Sequence, residues 1–205
     1  MASPASSAFP SPRLYKQVNL AELNFAPLEK EGKSYVVRLD PPLVLQTPAL
    51  ALATPLCDGS DDEPSPFAYV QPTGGFAEFL KAAEDTLLRK CLENKREWLR
   101  KDVDDETLQA SFKSLFRPAG FRLKVSQDVE VFGADRKPAA LADFQAGTMV
   151  KCILILRQLT FGKTEFGGIW RLSQAQAVPQ PVCLIGDSEC GESESDADSE
   201  TQEFL

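Results

Sequence analysis

A chain of 205 residues, 43% hydrophobic and 25% charged, is long enough to bury a core of its own and has the composition of a soluble globular protein. It contains no histidine, which excludes Ser-His-Asp and Cys-His catalytic arrangements and, with five cysteines and no CxxC, argues against a zinc site. The formal net charge of −8 lies in one place: eight acids between Asp187 and Glu203 leave 22 acids against 22 bases in residues 1–186.

Residues 1–12, MASPASSAFPSP, are rich in Ala, Ser and Pro and are expected to be disordered. They lack the charged start and apolar run of a secretory signal. The stretch KSYVVRLDPPLVLQTPALALATPL predicts two or three short strands. Pro41, Pro42, Pro48 and Pro55 punctuate it, and a proline cannot donate to a ladder, so edge or short strands are expected. The same prolines keep Pro41–Cys57, the longest uncharged stretch, from spanning a bilayer as a helix, so no membrane partner is expected. An acidic loop, CDGSDDEPSP (Cys57–Pro66), follows, and PFAYV adds another strand.

TGGFAEFLKAAEDTLLRKCLENKREWLRK reads as one long helix after Gly74 and Gly75. Phe76, Leu80, Ala83, Leu87, Cys91 and Trp98 recur at steps near 3.6, with Phe79, Leu88 and Leu99 widening the stripe. Its bases Arg89, Lys90, Lys95 and Arg96 are balanced by Glu84, Asp85, Glu93 and Glu97, as on a solvated, salt-bridged face. DVDDETLQASFKSLF opens with acids suited to a helix N-terminus. Leu108, Phe112 and Leu115 mark one face of this second helix, stopped by Pro118 and Gly120, so a helical insert spans about residues 75–116.

The remainder reads as β. GFRLKVS and DVEVFG alternate as two strands, ALADFQAG is a turn or short helical piece, TMVKCILILRQLTF is a long strand, GKTEFGG its turn and IWRLSQAQAV the returning strand. Strands, two helices and strands again predict an α+β domain or a small barrel with a helical insert. There is no Walker loop, GxGxxG, HExxH or GxSxG. The carboxylate clusters Asp102–Glu106 and Gly59–Glu63 read as solvated charge, not as catalytic or metal-binding groups. A non-enzymatic protein without cofactor or metal is expected. Cys91 and Cys152 fall on apolar patterns and read as buried thiols of a reducing, intracellular compartment.

The last hairpin carries the functional signal. Val150, Cys152, Leu154 and Leu156 share one face of the long strand, and Lys151, Ile153, Ile155 and Arg157 the other. On the return strand Trp170 and Leu172 oppose Arg171 and Ser173. Trp170 reads as core. Phe161 and Phe166, beside Gly162, Gly167 and Gly168, read either as core or as side chains exposed by the turn around Lys163. Arg122, Lys124 and Phe132 come from neighbouring strands, and ten bases face five acids between Ser111 and Gly186. Aromatics interleaved with bases on a sheet suit single-stranded nucleic acid, whose bases stack on rings while cations follow the phosphates. The candidate DNA-binding set is therefore Phe161, Lys163, Phe166, Arg171, Arg157, Lys151, Arg122 and Lys124.

Two stretches, VVRLDPPLVLQTPAL and GTMVKCILILRQLTFGKTEFGGIWRLSQAQAV, together resemble an OB-fold-like single-stranded DNA-binding protein family of large nucleocytoplasmic DNA viruses, including algal viruses. The resemblance covers roughly residues 33–178. It departs from the family pattern at Leu159, Thr160 and Phe161, where an aromatic pair is expected, and in the extra glycine of FGGIW. It implies an OB-like antiparallel β-barrel, largely sequence-independent binding of single-stranded DNA in replication, recombination or repair, and residence in the host nucleus or a cytoplasmic viral factory.

The chain closes on GESESDADSETQEFL. The expected organisation is a disordered segment 1–12, one OB-like domain 13–186 and an acidic tail 187–205. The tail is similar to the acidic tips of bacterial and phage single-stranded DNA-binding proteins. Its acids, among them Asp198, Glu200 and Glu203, suit a phosphate mimic in the DNA groove, and Phe204 and Leu205 suit a pocket on a replication or recombination protein. The alternative is a protein-interaction or virion structural module, or a late-transcription regulator, on the same scaffold, which the weak net charge of residues 1–186 favours. Long edge strands leave an oligomer open.

Overall fold

The computed structural model describes residues 10–57, 66–99 and 103–179. In chain order the strands are β1 (Arg13–Leu14), β2 (Glu29–Glu31), β3 (Ser34–Gln46), β4 (Leu50–Leu52), β5 (Phe67–Gln71), β6 (Phe116–Arg117), β7 (Gly120–Phe132), β8 (Met149–Phe161) and β9 (Phe166–Ala177). The helices, between β5 and β6, are α1 (Gly74–Glu93), α2 (Lys95–Leu99) and α3 (Asp105–Ala110).

Five strands close a ring. β8 pairs antiparallel with β9, β9 parallel with β7, β7 antiparallel with β5, β5 with β4, and β4 returns to β8. That closed, strongly bent sheet with helices set outside it is an α+β fold with an OB-like barrel. β3 continues the β4 edge of β8, with Leu45 opposite Leu154 and Leu50 opposite Val150. Thr47, buried at the corner between β3 and β4, holds that edge in place: its N–H donates to Cys152 O at 2.9 Å, and its Oγ1 accepts from Cys152 N–H at 2.9 Å.

The prolines of β3 do not shorten it. The strand runs thirteen residues, and Pro41 and Pro42 lie where its pairing with β8 lapses, between Arg38 and Leu43. A proline costs nothing at a bulge because no ladder hydrogen bond is asked of it there. The two strands expected in GFRLKVSQDVEVF are likewise one, β7, interrupted by a shift against β9 between Val125 and Glu130. Ser126–Val129 fall out of register with β9, and the buried alternation resumes at Val131.

The barrel core is filled by the inward residues of each strand, among them Val37, Leu45, Val70, Leu123, Leu154 and Trp170, all at most 1% exposed. α1 lays the stripe Phe76, Leu80, Ala83, Leu87 and Cys91 onto this core. The approach is close at Gly168 of β9, where an added Cβ would lie 3.0 Å from both Leu87 Cδ1 and Leu156 Cδ1. The single long helix expected through Trp98 is broken at Asn94, whose side-chain Nδ2 donates to Lys90 O at 2.8 Å. Past the break Trp98 packs inward, against Phe25 at 5.6 Å and Phe161 at 6.3 Å between ring centroids. The second helix is also shorter than expected. Asp104 caps it by accepting from Thr107 N–H at 2.7 Å, which lowers the Asp104 pKa, and it ends at Ala110. Past it Ser111–Lys113 lie against the start of β9: Phe166 N–H donates to Ser111 O, and Lys113 N–H to Phe166 O.

Candidate nucleic-acid interface

The outer face of the barrel is built by register. Val44 on β3 stands beside Ile155 on β8, Ile155 beside Arg171 on β9, Arg171 beside Lys124 on β7, and Lys124 beside Phe67 on β5. Arg122 is two residues along β7, on the same face, opposite Tyr69. Its guanidinium lies 3.5 Å from the centroid of the Phe67 ring. The result is a cleft of about 340 Å³ walled by Phe67, Lys113, Arg122, Lys124 and Glu165, with Gly167 and Gly168 on its floor. The glycine doublet permits this floor, since a Cβ on Gly167 would come within 2.9 Å of Lys113 O.

The cations of this face differ in how they are held. Arg122 Nε is buried and makes no hydrogen bond among the described residues. Lys113 is paired with Glu165. Arg171 donates from Nε and Nη2 to Ser126 Oγ at 3.0 and 2.7 Å and meets Asp128 Oδ1 at 3.3 Å. The bulge of β7 supplies both of those partners.

The expected residues divide into three groups. Arg122 and Lys124 share the cleft, and Arg171 adjoins it. Lys151 and Arg157 are exposed on the outer face of β8, away from it, and Lys163 borders a second recess with Tyr35 and Trp98. Of the two alternatives for Phe161 and Phe166 the structure takes the core one, in place of exposed stacking rings: they are 6% and 4% exposed, although Phe166 borders the cleft and Phe161 the recess at Lys163. Their rings stack on each other at 5.2 Å and are closed in by Trp98 and Phe112. The first and last residues of a tight hairpin face each other across the ladder, here on its inner side, because Phe161 pairs with Phe166. Asp198, Glu200, Glu203, Phe204 and Leu205 lie outside the described residues.

Sequence reasoning missed Phe67. Its signal was the alternation of PFAYV, which puts Phe67 and Tyr69 on one face; that this face meets Arg122 and Lys124 depends on non-local pairing. It also placed Glu84 among solvated charges. Glu84 is 8% exposed and accepts hydrogen bonds from Leu115 N–H at 2.6 Å and Ser114 Oγ–H at 2.7 Å. Burial raises its pKa, against the lowering effect of those two bonds. Glu84 thereby ties α1 to the segment that carries Lys113 and Leu115 into the cleft. Burial also pushes the thiols of Cys91 and Cys152 up to about 12, which leaves both protonated and unreactive.

By its fold the protein is an OB-like barrel with a cationic, aromatic cleft on its outer face. The chain belongs to the family described as "Family of unknown function (DUF5871)", which matches residues 75–184, more than half of its length and all of β7, β8 and β9. No curated protein matches the sequence. Among solved structures it is similar to the single-stranded DNA-binding protein from bacteriophage Enc34 in its C-terminally truncated form, at 13% identity over 77% of this chain and 96% of that one, with a TM-score of 0.45. The same phage protein in complex with ssDNA matches at 12% identity over 77% and 97%, with a TM-score of 0.42.

Proposed function

We propose that the protein binds single-stranded DNA, largely without sequence preference, along the outer face of β7 and β9. The carrying observation is the Arg122 guanidinium over the Phe67 ring in a cleft that also holds Lys113 and Lys124. A ring and a planar cation offer stacking surfaces to bases, and the lysines answer the phosphates. Duty in replication, recombination or repair is part of this reading, as is the tail, residues 187–205, acting as a phosphate mimic that leaves when DNA arrives and recruits a partner through Phe204 and Leu205.

Titration of labelled oligo-dT at several salt concentrations, with the full chain and with residues 1–186, tests the proposal. Binding that weakens steeply with salt, and tightens when the tail is removed, is the expected result. No binding by either chain at low salt overturns it. One observation favours the second reading, a protein-interaction module: Lys113 and Arg171 already have carboxylate partners. Co-purification of a protein partner without nuclease-sensitive material would support that reading.

A further inference from the structure

Beyond the cleft, and apart from the recess at Lys163, the same outer face carries another recess of about 200 Å³, lined by Gln46, Phe132, Lys151, Ile153, Gln174 and Gln176. A single water needs only roughly 10–15 Å³ of such space, so the recess is sized for something larger. It too is built by register. Gln46 stands beside Ile153, Ile153 beside Gln174, and Gln174 beside Glu130; one step along, Lys151 stands beside Gln176 and Gln176 beside Phe132. The shift in β9 between Leu172 and Gln174 lets Arg171, Gln174 and Gln176 all face outward. From Ile169, which also lines the cleft, to Gln176 is seven residues of strand, roughly 23 Å.

Three half-buried amides from two strands line the recess. Gln174 is oriented: its Nε2 donates to Glu130 Oε2 at 2.6 Å, which leaves its carbonyl oxygen as an acceptor. The side chains of Gln46 and Gln176 have no hydrogen-bond partner among the described residues, although both are partly removed from water. Their amide atoms remain open to solvent, so the edge of a ligand can reach them. Each offers one acceptor and two donors, the complement of the edge of a nucleobase. Turning the amide exchanges donor and acceptor, so this pairing tolerates any base. Phe132 beside them offers a ring face and Lys151 a cation for the adjoining phosphate.

We propose that this recess receives the edge of an unstacked nucleobase, two or more nucleotides along the strand from the base held at Phe67. The proposal rests on the single-stranded DNA reading and deepens it: DNA is held there by base edges as well as by charge.

The test is fluorescence anisotropy with oligo-dT and with an abasic oligomer of equal length and charge, using the wild-type chain and the Gln46→Leu/Gln176→Leu variant. The wild type should bind oligo-dT more tightly than the abasic oligomer. The variant should lose about five- to tenfold in affinity for oligo-dT, keep its affinity for the abasic oligomer, and keep the wild-type salt dependence. A variant that retains the wild-type ratio between the two oligomers, or weakens equally on both, overturns the recess as a base site while leaving DNA binding intact. A wild type that binds neither oligomer overturns the DNA reading itself, and this proposal with it. If the double variant melts at a lower temperature than wild type, the single variants Gln46→Met and Gln176→Met give the same readout with the volume preserved.

Discussion

Arg122 and Phe67 meet on neighbouring antiparallel strands with the guanidinium 3.5 Å from the ring centroid, one diagonal step off the pairing of Phe67 with Lys124. The pair gives the outer face a stacking surface that is already planar and already charged. Phe67→Leu keeps the apolar cover and removes the π face. It should weaken oligo-dT binding by about 1–3 kcal/mol, a factor of about 5 to 160. Arg122→Lys keeps the charge without the planar fork and should weaken binding by a smaller factor. Lys124→Ala should lower the slope of log affinity against log salt by about 0.7, the share of one phosphate contact on a single strand. Anisotropy titrations at three salt concentrations separate these effects.

Two cations, Lys113 in the cleft and Arg171 beside it, are held by acids that DNA phosphates would displace, Glu165 and Asp128 respectively. Glu165→Gln and Asp128→Asn should therefore tighten DNA binding, by up to about fivefold each, since exposed pairs of this kind contribute roughly 0.2–1 kcal/mol. Both variants should fold normally. Weaker binding in either would show that the carboxylate positions its cation rather than competes for it.

Phe161 and Phe166 should behave as core residues. Each is almost wholly buried in a cluster that includes Trp98 and Phe112. Replacing either by Ala should cost about 3–5 kcal/mol of stability. Any loss of DNA affinity should track unfolding and vanish at temperatures where the variant is folded. Thermal melts alongside the binding titration decide the matter.

Glu84 should show itself in the pH dependence of stability. Its pKa is raised in the folded chain, chiefly by burial, so its contribution is greatest below the ordinary value of 4.5 and declines as pH rises through the raised value. Urea melts of wild type and Glu84→Gln should show the stability of wild type relative to the variant falling from pH 4.5 towards neutrality. Glu84→Ala, which leaves the Leu115 N–H without its acceptor, should cost about 1–3 kcal/mol.

What could be read from the sequence was local. The stripe Phe76–Leu80–Ala83–Leu87–Cys91 announces α1 because helical spacing alone gathers those side chains, and the alternation of Val150, Cys152, Leu154 and Leu156 announces β8 in the same way. The course of β3 through Pro41 and Pro42 was hidden because a bulge, and not the strand, accommodates them. Phe161 and Phe166 could be read either as core or as turn residues because only the ladder shows that they face inward together. Phe67 could not be joined to Arg122 by any spacing rule, since their meeting is fixed by the pairing of β5 with β7. Glu84 looked solvated until the segment after α3 folded back over it.

β9 pairs with β8 along one edge and with β7 along the other, and it is the last strand among the described residues. The ring therefore stays open during synthesis until residues 166–177 have left the ribosome. Until then β7 and β8 present bare edges, with Leu123, Leu154 and Leu156 uncovered. A nascent chain stalled before Phe166 would be a target for chaperones and for edge-to-edge association with its neighbours on a polysome.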